Sequence, residues 1–176
     1  MFDQCMDILI RQERASDRRA VDSLVLESFK SARHSDGNEH VLVARLRGSN
    51  AFIPELSLVA TVGNEIVGHI MFTKIAIDGR THLALAPLAV LPEWRCKRIG
   101  SALVREGHAV AQKLGYGMSV VLGDYDYYSR FGYRPASLFG IRPPMGVDEK
   151  YYMAFELNPT DGFVTGYVAY AEPFGL

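Results

Sequence analysis

Apolar residues fall along this chain in two rhythms, stripes at spacings of three and four and short near-continuous runs. Ile8 to Gln12 reads as a short strand. Val21, Leu24, Val25 and Phe29 place one apolar stripe on a helix that starts at Ser16 or Asp17, either of which can cap free N–H groups. Lys30 to Gly37 is polar and reads as a loop, and His40 to Leu46 as a second, short helix. Leu56 to Val62 and Glu65 to Ile75 are strands, and Gly63-Asn64 between them suits a tight hairpin. Asp78-Gly79 marks the next turn, before a nearly continuous apolar strand from Leu83 to Leu91. Ile99 to Leu114 is the clearest helix. Ile99, Ala102, Leu103, Val110 and Leu114 share one face of it, and Gly115 is a good stop. Met118 to Leu122 is a further buried strand, and Tyr125 to Phe131 a short helix ending at Gly132. Tyr152 to Leu157 and Val164 to Tyr170 are closing strands.

Strand, long helix and strand in succession predict a right-handed parallel crossover. The fold class is therefore mixed α/β (α+β). Helices flank a central sheet that is antiparallel in its first half and parallel at one pair. Pro87 is out of place in the Leu83 to Leu91 strand, because it cannot donate to a ladder. Either that strand lies at an edge or its pairing breaks near Pro87. No repeat or linker divides the 176 residues, so 1–176 reads as a single domain.

Composition narrows the function classes. Apolar residues make up 48% of the chain and charged residues 22%, enough for a full core. The net charge of −1 argues against a general polyanion binder, so no nucleic-acid partner is expected. No apolar run reaches the ~18 residues a membrane span needs. The opening MFDQCMDILIRQ lacks the basic start of a secretory signal. Cys5 and Cys96 cannot form a disulfide framework or a four-ligand metal site, and no HExxH or paired Cys/His spacing exists. A cytoplasmic protein without a metal is expected.

Nearly all of the chemistry lies between Pro87 and Tyr133. Arg95, Lys97 and Arg98 put three cations in four residues where the longest helix begins. A helix N-terminus offers unpaired N–H groups and a positive dipole end, so this is a candidate phosphate or pyrophosphate site. Gly100 lets a ligand approach the backbone. The plainer reading is a solvated basic turn with an incidental glycine. No GxxxxGK[ST] run is present, which argues against a nucleotide P-loop.

The run LAVLPEWRCKRIGSALV, Leu88 to Val104, resembles the acyl-CoA signature of the GNAT superfamily of N-acetyltransferases. Val90-Leu91-Pro92, Arg95 and Gly100 match it. Tyr127-Tyr128-Ser129-Arg130-Phe131-Gly132-Tyr133 resembles the superfamily's aromatic-Tyr-x-x-x-Gly-aromatic segment. Leu122-Gly123-Asp124, Val168-Ala169-Tyr170 and Pro173-Phe174 resemble a bacterial branch of small acetyltransferases. The resemblance covers most of the chain from about Ile8 onward. One position departs from it, since Arg98 stands where the signature has its first glycine. Arg98 is costly if that position needs positive φ, and otherwise could tighten phosphate binding.

The resemblance implies acetyl-CoA as co-substrate and an amine acceptor, either a small molecule or a protein. It implies that the two parallel strands splay apart. The pantetheine arm would then pair with Leu88, Ala89 and Val90, and the pyrophosphate would rest on Cys96, Lys97, Arg98, Ile99, Gly100 and Ser101, beside Arg95. A backbone N–H near Leu88 would meet the thioester carbonyl, and Tyr128 would donate a proton to the departing thiolate. Tyr128 could instead be a packing residue of a Tyr-rich turn. The base is not identified: Asp124 is a candidate, but a helix cap is its simpler role. His69 reads as a packed or surface residue, and His34, His40, His82 and His108 show no partner pattern. Cys96 reads as a variable loop position. Lys30 to Gly37, Arg47 to Glu55 and Gly140 to Tyr151 are expected around the acceptor. An exposed closing strand could support a homodimer. A non-catalytic acyl-CoA-binding module, and an interaction protein without cofactor, are the competing readings.

Overall fold

A computed structural model describes residues 7–30, 37–159 and 164–176. Cys5, His34 and positions 31–36 of the expected polar loop lie outside the described residues. The strands are β1 (Ile8–Gln12), β2 (Phe52–Val62), β3 (Glu65–Ile77), β4 (Arg80–Val90), β5 (Met118–Leu122), β6 (Arg134–Pro135), β7 (Ile141–Arg142), β8 (Tyr152–Glu156) and β9 (Gly166–Ala169). The helices are α1 (Arg18–Phe29), α2 (Glu39–Arg47), α3 (Ile99–Lys113) and the single turn α4 (Tyr125–Tyr128). The sheet runs β1-β2-β3-β4-β5-β8-β6, with β9 on β3 and β7 on β9. β4 and β5 pair in parallel across the α3 crossover, and β1 to β4 are antiparallel, as the element order predicts. No helix among the described residues is long and apolar enough to cross a membrane.

Alternation sorts the strand side chains onto two faces. On one face Leu58, Ala60, Ile70, Phe72, Leu83 and Leu85 pack beneath α3 through Ile99, Leu103, Val104 and Ala111. On the other, Val59, Met71 and Ala89 meet Val21, Leu24 and Val25 of α1 and Val43 and Leu46 of α2. A third cluster joins Ile75, Ile77 and Ala84 to Tyr152, Val164 and Val168. The buried face of α3 departs from the expected stripe. Leu114 caps the helix and is exposed, while Gly107 and His108 are buried. The reason is Phe72, whose ring fills the space a side chain at Gly107 would need. β2 and β3 run past their expected bounds, to Phe52 and Ile77, and β4 starts at Arg80 because Arg80, Thr81 and His82 pair with Ile77, Ala76 and Ile75. β9 is shorter than Val164 to Tyr170. Asp17 is the N-cap position of α1, but its carboxylate binds the Arg14 N–H and the Arg11 guanidinium instead of capping.

β4 is not an edge strand, so the alternative that survives is the break in its pairing. Its ladder with β5 stops at Leu85↔Val121, two residues before Pro87, and its register with β3 shifts between Leu88↔Ile70 and Leu85↔Phe72.

A buried charged network ties the first half of the sheet to both helices that cover it. Arg47 reaches Glu13 at 2.5 Å and Asp22 at 2.7 Å. Glu13 also accepts from Ser57, whose hydroxyl lies 3.1 Å from His69 Nε2. Burial opposes ionisation of Glu13, but His69 at 3.7 Å, the Ser57 hydroxyl and Arg47 together lower its pKa to about 2. Burial keeps His69 neutral by lowering its pKa, and lowers that of His108 to about 4. All three groups bind protons more weakly when folded than when unfolded. Their stabilisation is therefore full above the ordinary histidine value of 6.5 and is lost as pH falls through 4 toward 2. Urea unfolding between pH 8 and pH 3 should show constant stability above about pH 6.5 and a progressive decline below it. Glu13→Ala, which leaves a buried guanidinium short of a partner, should cost about 3–5 kcal/mol at pH 7 in the same assay.

Candidate active site

Where β5 parts from β4, the β4 edge is left bare. Leu91 donates its N–H to Val67 of β3, so by strand alternation Ala89 also faces β3. Leu88 and Val90 then turn their N–H and C=O toward the gap. Of the three residues expected to pair with a ligand arm, two present backbone groups to it and Ala89 does not. Pro87, with no N–H of its own, sits at the head of this free edge.

The gap runs into the amino end of α3. Pro92 to Trp94 forms one 3-10 turn, and the chain then enters α3 through two left-handed residues, Cys96 at φ 61° and Arg98 at φ 64°. This answers the question raised by the missing glycine: the position does need positive φ, and Arg98 adopts it at a cost. No side chain caps α3. Ala102 is the first residue of the helix to donate back, to Arg98 C=O, so the N–H groups of Ile99, Gly100 and Ser101 have no partner within the helix. They open on a groove of about 550 Å³ lined by Leu88, Ala89, Val90, Arg95, Cys96, Arg98, Ile99, Gly100 and Ser101, with Ser28, Phe29, Trp94, Tyr127 and Arg130. An extended molecule with a diphosphate at one end fits such a groove, because free N–H groups, the α3 dipole and cations converge at one end of it.

Among the expected contacts only Lys97 lies outside the groove, its ammonium 4.4 Å from the centre of the Trp94 ring. Arg95 lines the groove while donating to Ser28 C=O at 2.6 Å, which fastens the loop to the end of α1. Sequence reasoning missed Tyr127 and Arg130. Gly100 leaves room for the Tyr127 hydroxyl, which would lie 2.5 Å from a Cβ placed there. Arg130 stacks on the Tyr127 ring at 4.5 Å. The signal was present in the Tyr-Tyr-Ser-Arg segment, whose one-turn spacing puts Tyr127 and Arg130 side by side.

Tyr128 occupies a second, adjoining cavity of about 350 Å³ on the far side of Leu88, lined also by Pro87, Leu122 and Gly123. Phe29 and Leu88 border both spaces. Gly123 admits the Tyr128 ring, since a Cβ there would fall 2.5 Å from it. Edge contacts to Tyr127 at 5.0 Å and Tyr133 at 5.7 Å hold its orientation. Burial raises the Tyr128 phenol above its ordinary value and keeps it protonated. Asp124 takes the capping role, accepting from the Tyr127 N–H at 2.8 Å, and does not line this cavity. His108 is a core residue, with Nε2 3.1 Å from Tyr133 Oη. His69 faces the α1 side within the charged network. No cluster of three potential metal ligands occurs among the described residues.

A parted parallel pair thus lies beside an uncapped helix end and next to a buried, protonated phenol. The acetyltransferase (GNAT) domain model matches residues 54–135. The Escherichia coli N-acetyltransferase YjhQ is 33% identical to this chain over 168 residues, 90% of this chain and 88% of that protein. YhbS of the same organism is 33% identical over 172 residues, 95% of this chain and 98% of that protein. The YhbS crystal structure, in complex with CoA, superposes with a TM-score of 0.89 at 31% identity, covering 100% of this chain and 96% of that one. A Brucella melitensis GNAT acetyltransferase in complex with acetyl-CoA gives 0.80 at 30% identity over 96% of this chain and 99% of that one. The chain belongs to the GNAT family of N-acetyltransferases.

Arg98 balances backbone cost against charge. Arg98→Gly should relieve about 1 kcal/mol of left-handed strain, raising Tm by about 2–4 °C in a melting scan. By removing a cation from the groove it should weaken CoA binding about tenfold in calorimetry.

Proposed function

We propose that this chain transfers the acetyl group of acetyl-CoA to a primary amine by direct attack on the thioester. The observation that carries this reading is the bare Leu88–Val90 edge, which borders the long groove on one side and the Tyr128 cavity on the other. The residues present fit CoA in charge and shape, and two relatives have been crystallised with CoA or acetyl-CoA.

Acetyl-CoA supplies the activated acyl group, and this chain's residues orient it. Leu88 and Val90 offer backbone groups to the amide-bearing arm. Ile99, Gly100 and Ser101 donate N–H groups to the diphosphate, with Arg98 adding charge and Cys96 forming the turn. The Leu88 N–H donates to the thioester oxygen as negative charge builds there, a contact worth roughly 3–4 kcal/mol in the transition state. The amine nitrogen bonds to the acetyl carbon and the carbon–sulfur bond breaks. One proton leaves nitrogen for solvent and one arrives on sulfur, its donor then regaining a proton from solvent. Tyr128, protonated and held by its aromatic neighbours, supplies the proton to sulfur. An aliphatic amine with a pKa of about 10.4 must lose a proton before it attacks. Holding amine and thioester together supplies much of the remaining acceleration.

Free-thiol release from acetyl-CoA in the presence of amines tests the reading. Tyr128→Phe should lower kcat at least about tenfold while the calorimetric Kd for CoA is unchanged. Unchanged turnover removes Tyr128 from the reaction. CoA binding with no amine-dependent release leaves a binding module.

A further inference from the structure

We infer that the acceptor is a small primary amine with an apolar body and no anionic group, a specificity that rests on the acetyl-transfer reading above. The cavity next to Leu88 and Tyr128 is the place for the acceptor, and its walls are unusually one-sided. Phe29, Leu42, Leu122, Val147 and Phe174 make them hydrocarbon or aromatic. Such a surface gains from desolvating a matching apolar body and loses by desolvating a polar one.

The polar lining is sparse and of one electrical kind. Besides Tyr128 it holds the phenols of Tyr152 and Tyr170, whose oxygens pair with each other at 2.9 Å. Burial raises both phenols, so they stay neutral. The lining's carboxylate side chain is Glu39, in the first turn of α2, where the helix dipole favours negative charge. Among the described residues no lysine or arginine lines this cavity, and Arg45 of the same helix lines an outer groove that shares Glu39, Leu42 and Phe174 with it. The Glu39 carboxylate draws a cationic amine toward the site. A carboxylate or phosphate on the acceptor would be buried with no counter-charge and against a like charge.

The shape separates small amines from polypeptides. Tyr170, Phe174 and Leu176 line the same space as Leu85 to Leu88 of β4 and Leu122 of β5. The volume of about 350 Å³ is at the lower end of small-molecule sites, less than a bound peptide segment needs.

The test compares four acceptors at saturating acetyl-CoA: 2-phenylethylamine, L-phenylalanine, spermidine and a lysine-containing peptide. Phenylalanine differs from the first only by its carboxylate, spermidine lacks the apolar body, and the peptide represents a protein acceptor. The expected result is a kcat/KM for 2-phenylethylamine at least about 100-fold above the other three. Glu39→Gln should raise KM for 2-phenylethylamine about tenfold, with kcat and the calorimetric Kd for acetyl-CoA unchanged. Comparable rates with phenylalanine, spermidine or the peptide overturn the proposed specificity. So does a silent panel when calorimetry shows acetyl-CoA bound, and the cofactor reading then stands. If acetyl-CoA itself does not bind, the underlying acetyl-transfer reading falls instead.

Discussion

The site depends on hydrogen bonds that β4 does not make. In a closed parallel pair every backbone group facing the neighbour is consumed. Here the β4–β5 ladder ends at Leu85↔Val121, and from Pro87 onward β4 keeps only its β3 partner. Unpaired backbone groups inside a protein are costly unless something satisfies them. An edge left bare beside a groove is therefore a binding surface by construction. The same separation of strands opens the Tyr128 cavity, so the groove and this cavity come from one departure from regular pairing.

Holding two strands apart requires a rigid frame on each side. On one side β1 to β4 form a continuous antiparallel set, clamped to α1 and α2 by the Glu13–Arg47–Asp22 network. On the other side β5 is held by β8, with Tyr133 bridging Ser119 at 2.8 Å and His108 at 3.1 Å. Tyr133 also carries the ring edge against which Tyr128 packs. The polar core therefore fixes the position of the Tyr128 ring. α3 crosses between the two sides and packs on both. Its close approach needs Gly107 under Phe72, and Gly68 of β3 beneath Ile99 and Leu103.

The electrostatics divide along the same line. Positive potential gathers at the start of α3, from the helix dipole, Arg98 and Arg130. The Tyr128 cavity on the other side of Leu88 holds the Glu39 carboxylate and neutral phenols, so the two spaces differ in electrical character.

Local patterns were enough to settle the element order apart from the two-residue strands β6 and β7, the hairpin at Gly63-Asn64, the crossover, and the basic α3 entrance, because periodicity and turn chemistry act over a few residues. The bare edge was half legible, since Pro87 announced a fault in pairing but not which side of β4 would open. Whether Arg98 sits at positive φ, which of Arg95, Lys97 and Arg98 faces the groove, and that Tyr127 and Tyr128 serve different spaces were decided by tertiary structure alone. Those outcomes depend on residues distant in sequence. Ser28 recruits Arg95, Trp94 carries Lys97, and Gly100 and Gly123 make room for the two phenols. The acceptor cavity lay furthest from the sequence. Its walls come from α1, α2, β4, β5, β8 and the chain's end, and only folding brings them together.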